Sequence, residues 1–183
     1  LASSVQVGTG GETVEVSAIV KGTGNVSLGD TAITFATDTG TLTGASTTTD
    51  ASGVAKVTLS AGANKSNRTV TVTARSGNAV GTVQVTVAGT ALSYSGATTV
   101  SFGTSTTMAV KATDSKGAAI SGLAVAIASS LGNGLSATTV NTDALGTASI
   151  TYTATNSGTD TVTFSGAGAT ATTAVQVSGE NFV

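Results

Sequence analysis

Apolar residues recur at every second position through most of this chain. In the first half Val14, Val16, Ala18 and Val20 alternate with other residues. So do Ile33 and Phe35; Ala55, Val57 and Leu59; Val70, Val72 and Ala74; and Val83, Val85 and Val87. In the second half the rhythm runs through Met108, Val110 and Ala112; Leu123, Val125 and Ile127; Ala148, Ile150 and Tyr152; Val162 and Phe164; and Val175 and Val177. Successive side chains on a strand point to opposite faces, so each run predicts a strand with one buried face. An opening strand is expected at Leu92–Phe102, with a counterpart near Leu1–Val7. No stretch sustains a 3.6-residue period, so at most a turn of helix is expected. Each half reads as six or seven short strands in two sheets packed face to face about 10 Å apart.

The breaks between runs carry turn chemistry. Asp50-Ala51-Ser52-Gly53, Asp114-Ser115-Lys116-Gly117 and Asp143-Ala144-Leu145-Gly146 share the order Asp-x-x-Gly. An Asp carboxylate there can accept backbone N–H groups, and the Gly can take positive φ. Asn133-Gly134 suits a tight hairpin.

The chain also repeats itself. Thr49-Asp50-Ala51-Ser52-Gly53-Val54-Ala55 returns as Thr142-Asp143-Ala144-Leu145-Gly146-Thr147-Ala148, an offset of 143 − 50 = 93. Ala79–Val85 matches Ala171–Val177 at an offset of 92, and Ile33 and Phe35 match Val125 and Ile127, again at 92. A period near 92 suits a self-contained sandwich domain rather than a solenoid repeat. The fold class expected is therefore all-β, with two tandem β-sandwich domains at residues 1–88 and 89–183, joined without a Pro in Ala88-Gly89-Thr90-Ala91.

Composition narrows the chemistry. Charged residues make up 9% of the 183 residues and the formal net charge is −2; an average soluble domain is about 25% charged. Nothing here attracts nucleic acid, and the tight pair Lys65 and Arg68 reads as a solvated loop. There is no Cys and no His. Disulfides, thiolate metal sites and thiol catalysis are excluded, and so is His as a general base or ligand. No apolar run is long enough for a membrane-spanning helix, and no signal peptide is visible at Leu1. If the protein is exported or anchored, other segments are expected to do it.

With the repeat in place, each copy resembles the bacterial immunoglobulin-like domain, group 1, which builds the rods of invasin- and intimin-type adhesins. Val110-Lys111-Ala112-Thr113-Asp114-Ser115-Lys116-Gly117 with Ile120–Ile127 is similar to that family's V-x-A-x-V-x-D-x-x-G … V-x-G-x-x-V-x-F stretch. Thr142–Ala148 resembles its T-D-x-x-G-x-A turn, as does Asp50–Ala55 followed by the strand Thr69–Ala74. The likeness covers nearly all of both copies. The first copy departs from it, reading Lys21-Gly22-Thr23-Gly24-Asn25 where the second has Asp114–Gly117, and Pro is absent. The resemblance implies immunoglobulin-like sandwiches stacked as a stalk that displays a binding domain, and no catalytic residues.

Site residues follow the same logic. No catalytic, cofactor-binding or metal residue is assigned. The abundant Ser and Thr have no His or Cys to activate them. The acids are Glu12, Glu15, Asp30, Asp38, Asp50, Asp114, Asp143, Asp160 and Glu180, and no pair is marked out as an acid/base couple. No cofactor is expected; calcium is the one metal the oxygen ligands would suit, though no Asp-x-Asp-x-Asp loop exists. Asn25, Asn64 and Asn67 head glycosylation-type triplets that composition alone produces. Phe35, Tyr94, Phe102, Tyr152, Phe164 and Phe182 read as core anchors.

Three functions then compete. The first is a structural stalk of a bacterial surface adhesin, extracellular, on an outer-membrane-anchored or secreted parent. Its partners would be further immunoglobulin-like repeats of the same polypeptide, and it would be no enzyme. The second is a receptor- or glycan-binding module contacting a host or neighbouring cell. The third is self-association into a filament, sheath or surface layer through edge strands, with Asn181-Phe182-Val183 as a donor segment.

Overall fold

The computed structural model describes residues 1–179. Two compact units divide the chain, Leu1–Gly89 and Thr90–Val183. Glu180 and the segment Asn181–Val183 named above lie outside the described residues.

The first unit contains β1 (Gln6–Gly8), β2 (Thr13–Ile19), β3 (Thr34–Thr37), β4 (Thr41–Thr43), β5 (Val54–Ser60), β6 (Arg68–Ser76) and β7 (Ala79–Ala88). One sheet runs in the order β1-β7-β6-β3 and the other β2-β5-β4. β1 lies parallel to β7, and the other pairs are antiparallel. The alternating residues of both sheets meet in one core, including Val14, Val16, Val57 and Leu59 from one side and Val70, Val72, Val85 and Val87 from the other. One turn of 3-10 helix, Thr23–Asn25, takes the place of the missing Asp-x-x-Gly turn.

The second unit contains β8 (Ala91–Gly96), β9 (Thr99–Ser101), β10 (Ser105–Thr113), β11 (Ala124–Ser129), β12 (Gly134–Leu135), β13 (Thr139–Asn141), β14 (Thr147–Thr153), β15 (Gly158–Gly166) and β16 (Ala169–Ser178). Its sheets run β12-β14-β10-β8 and β13-β11-β15-β16-β9. Tyr152 and Phe164 are its largest fully buried side chains. Each unit is thus an all-β immunoglobulin-like sandwich.

Two expectations need correction. Leu92–Phe102 is two strands, not one: β8 pairs with β10, and β9 crosses to the opposite sheet to lie parallel to β16. Both pieces alternate with the same period, so the crossing leaves no mark in the pattern. The final hairpins match at 90 residues rather than 92. Arg68 pairs with Val87 as Gly158 pairs with Val177, and 177 − 87 = 90. A two-residue slide keeps every side chain on its face, so sequence alternation cannot detect it.

The Asp-x-x-Gly turns form as expected. One carboxylate oxygen of Asp50 accepts the N–H groups of Ser52 and Val54 at 2.8 and 3.0 Å. Asp143 accepts those of Leu145 and Thr147, each at 2.8 Å. Gly146 closes its turn at φ +77°, and a Cβ there would lie 2.6 Å from the carbonyl oxygen of Ala112. The Thr before the Asp works as well. Buried Thr142 donates to the carbonyl of Ile120 at 2.6 Å and accepts the N–H of Leu123 at 2.9 Å, pinning the loop ahead of β11.

Candidate functional site

The acids are dispersed, and most of the described ones have local work. Asp50, Asp114 and Asp143 sit in turns. Glu15 pairs with Lys56 across β2 and β5 at 2.9 Å on an exposed surface, an arrangement worth under about 1 kcal/mol. Asp38 accepts the N–H of Thr71 at 2.9 Å, and that bond chiefly lowers its pKa. Among the described residues no three acidic side chains come together as a metal site.

Asp160 is different: it is fully buried. It stands on β15 opposite Val175, on the inward face. Its Oδ2 accepts the Ser129 hydroxyl at 2.6 Å, the Asn133 side-chain amide at 2.8 Å and the Tyr152 hydroxyl at 2.8 Å. Its Oδ1 accepts the Ser130 hydroxyl at 3.0 Å and the Leu131 N–H at 3.1 Å. Burial pushes the carboxyl pKa up, but these bonds outweigh it and hold the group well below the usual carboxylate range. The Tyr152 hydroxyl is pushed up by burial and by the hydrogen bond to Asp160. Asn133 links the cluster outward: its Nδ2 donates to Tyr152 at 2.6 Å, and its Oδ1 accepts the N–H groups of Thr155 and Asn156 at 2.8 and 2.7 Å.

This cluster overturns the hairpin expected at Asn133-Gly134. The glycine at positive φ is Gly132, at +71°. Gly134 instead begins β12 opposite Thr153, and Asn133 is buried. The amide acts through its side chain because the carboxylate and the strand-end N–H groups need partners more than the turn needs Asn. Tyr152 was legible as a core anchor; its hydroxyl partner was not. Every hydrogen-bonding member of the cluster is satisfied from within the fold, and among the described residues no buried side-chain polar atom lacks a partner. The cluster therefore locks structure rather than presenting chemistry to a ligand.

Lys65 and Arg68 are not a solvated loop either. The Arg68 guanidinium donates to the carbonyls of Ala61, Asn64 and Ser66 and to the Thr39 hydroxyl, at 2.8 to 3.2 Å. The Lys65 ammonium donates to the Thr9 carbonyl. They tie the β5–β6 loop to its neighbours.

The remaining feature is a groove of about 680 Å³ in the first unit, lined along β2 by Leu1, Val16, Ala18 and Val20 and floored by Phe35 and Val72. It is apolar and open, and none of the acids lines it.

No family model matches the chain, and no curated protein matches it. Solved structures do. The Yersinia pseudotuberculosis adhesin InvE is 20% identical with a TM-score of 0.61, over 96% of this chain and 57% of that one. Invasin, described as a bacterial integrin-binding protein, is 19% identical with a TM-score of 0.51, over 98% of this chain and 39% of that one. The D0-D1 domain of intimin is 24% identical with a TM-score of 0.42, over 96% and 95% of the two chains. The fold of this chain is thus shared with the adhesin InvE and with invasin. The chain spans 57% of InvE and 39% of invasin as solved, so the activities of those whole proteins do not pass to it with the fold.

Proposed function

We propose that this chain is a stalk segment of a bacterial cell-surface adhesin, in which tandem immunoglobulin-like units set the distance between an anchor and a binding domain. The observation that carries this is the joint. β7 ends at Ala88 and β8 begins at Ala91, so Gly89 and Thr90 alone separate two sandwiches of one fold. Two like sandwiches in immediate succession along one chain are the unit from which a stalk of repeats is built. The shared fold with InvE supports the reading, as does the lack of any His or Cys for hydrolytic chemistry. The work of such a segment is mechanical: it transmits position and load, and an extracellular setting follows from that role.

Small-angle scattering over a concentration series, with and without calcium, tests it. An elongated particle whose dimensions ignore both concentration and calcium is expected. A compact particle, or two units reorienting freely, sinks the stalk. Self-association is the second reading, favoured by the open groove beside β2, and growth of the particle with concentration is its mark.

A further inference from the structure

Asn133 alone among the asparagines of this chain is followed by glycine. That order favours loss of the side-chain amide. The backbone nitrogen of the following residue attacks the amide carbon, and glycine has no Cβ to obstruct the approach. A cyclic imide forms as the new N–C bond closes. The C–N bond to the side-chain nitrogen breaks, and ammonia leaves carrying the glycine proton. Water then opens the ring to aspartate or isoaspartate. The net reaction takes up water and releases ammonia, and it needs no other reactant.

In the folded second unit both reacting groups are held. Asn133 is buried, 4% exposed. Its Nδ2 donates to the Tyr152 hydroxyl at 2.6 Å and to Asp160 Oδ2 at 2.8 Å, and its Oδ1 accepts the N–H groups of Thr155 and Asn156. The attacking nitrogen is held as well. Ser136 donates its N–H to the Thr151 carbonyl at 2.9 Å. Pairs that exchange hydrogen bonds alternate along an antiparallel ladder, so the Gly134 N–H faces its partner Thr153. Ring closure requires the amide to leave Asp160 and the Gly134 nitrogen to leave β14. Both are released together only when this part of the unit opens.

We propose that Asn133 is a modification site closed by folding: it loses its amide to water when the second unit opens, and the product stops the unit from reclosing as it was. The product carries a carboxyl group where the amide nitrogen lay 2.8 Å from the Asp160 carboxylate. A carboxylate accepts hydrogen bonds and donates none. Two acceptors of like charge then meet in a buried site, and Tyr152 loses the amide donor. Isoaspartate also adds an atom to the backbone and so displaces the chain entering β12. An opened copy that is modified does not return, so the stability of this unit becomes a rate. The first unit is free of this hazard. Leu42 pairs with Leu59 as Leu135 pairs with Tyr152, which puts Gly40 at the place of Asn133.

The test incubates the full chain in mildly alkaline buffer across a urea series and follows amide loss at each asparagine by peptide mass mapping. In unfolding urea Asn133 should lose its amide faster than any other asparagine. Without urea its rate should drop about tenfold or more, tracking the fraction of the second unit that is open. Held in urea until modified and then diluted, the chain should regain the first unit's unfolding transition, while the second unit's midpoint returns lowered. The variant Asn133→Asp carries the aspartate product from the start and should show a lowered midpoint with no incubation. Equal rates at Asn133 with and without urea overturn the shielding by the fold, and another asparagine outpacing it in urea overturns the site. A modified chain, or an Asn133→Asp chain, with the parent midpoint overturns the block on reclosing. These readouts belong to the second unit and stand whichever way the scattering experiment falls.

Discussion

Where β5 hands over to β6, and β14 to β15, the two units meet one problem with opposite charges. A loop leaving a sheet strands backbone groups beside the core, and these need partners. In the first unit Ala61–Asn67 form the loop, and Arg68 supplies donors to three of its carbonyls. In the second the loop is shorter, Ala154–Ser157, and Asn133 supplies an acceptor to two of its N–H groups. Asp160 anchors that Asn and takes a core position that Val70 fills in the first unit, since Val70 pairs with Val85 as Asp160 pairs with Val175. Tyr152 likewise stands where Leu59 does, opposite Leu135 as Leu59 is opposite Leu42. The fold thus accepts an apolar set or a polar set at one place. It should not accept half of either, because a buried carboxylate without donors, or donors without the carboxylate, is costly.

The largest way to break this comparison is Asp160→Val, which gives the second unit the residue of the first. It should cost the second unit about 1–3 kcal/mol for each buried donor left unpaired, since Tyr152 and Asn133 lose their shared acceptor. Denaturant unfolding should show the second unit's transition moving and the first unit's staying in place. Adding Tyr152→Phe should cost less than the two changes summed, with a coupling of about 0.5–3 kcal/mol. Strict additivity would mean the cluster is not a unit.

Acid comes next. Asp160 has a folded pKa below its unfolded value of about 3.9, so the folded state binds fewer protons there. Its stabilisation is complete above the unfolded value and is lost as pH falls from about 4 toward the folded one. The second unit's melting temperature should therefore fall more steeply below about pH 4 than the first unit's, whose Asp38 is lowered mainly by one backbone bond. Parallel slopes, or a second unit that resists acid better, would contradict the cluster.

Arg68→Ala should cost the first unit about 1–3 kcal/mol, because freed carbonyls at a half-open loop regain water. A loss as large as that from Asp160→Val would show that the two solutions are energetically alike after all. The smallest effects sharpen the comparison where the units agree. Asp50→Ala and Asp143→Ala should each cost about 1 kcal/mol, equal within error, because each removes the same two turn bonds. Unequal costs would mean the turns differ in more than sequence.

Much of the architecture was legible in the residues. Strand faces followed from alternation at Val14–Val20 and Val162–Phe164. The Asp-x-x-Gly turns followed from their chemistry, and the repeat from Thr49–Ala55 and Thr142–Ala148. The polar cluster was not legible, because its members lie apart in the chain. Ser129 and Asn133 precede Asp160 by 31 and 27 residues, and Tyr152 by 8. A Tyr on an inward face and an Asp between Thr residues each look ordinary where they stand. One signal was available: Asp160 holds the inward phase of Val162 and Phe164, where an acid breaks the apolar alternation. Arg68 was hidden likewise, since nothing local marks a cation whose acceptors are carbonyls.

The sequence by itself determined that the chain is all-β, duplicated, and without His or Cys, because period-2 alternation, turn chemistry and composition are local or cumulative properties. Only the tertiary structure decided the 90-residue register of the last hairpins, the crossing of Ala91–Ser101 between sheets and the buried Asp160. Each depends on which strand lies next to which, and a pattern that repeats every two residues is the same for many pairings until close packing selects one.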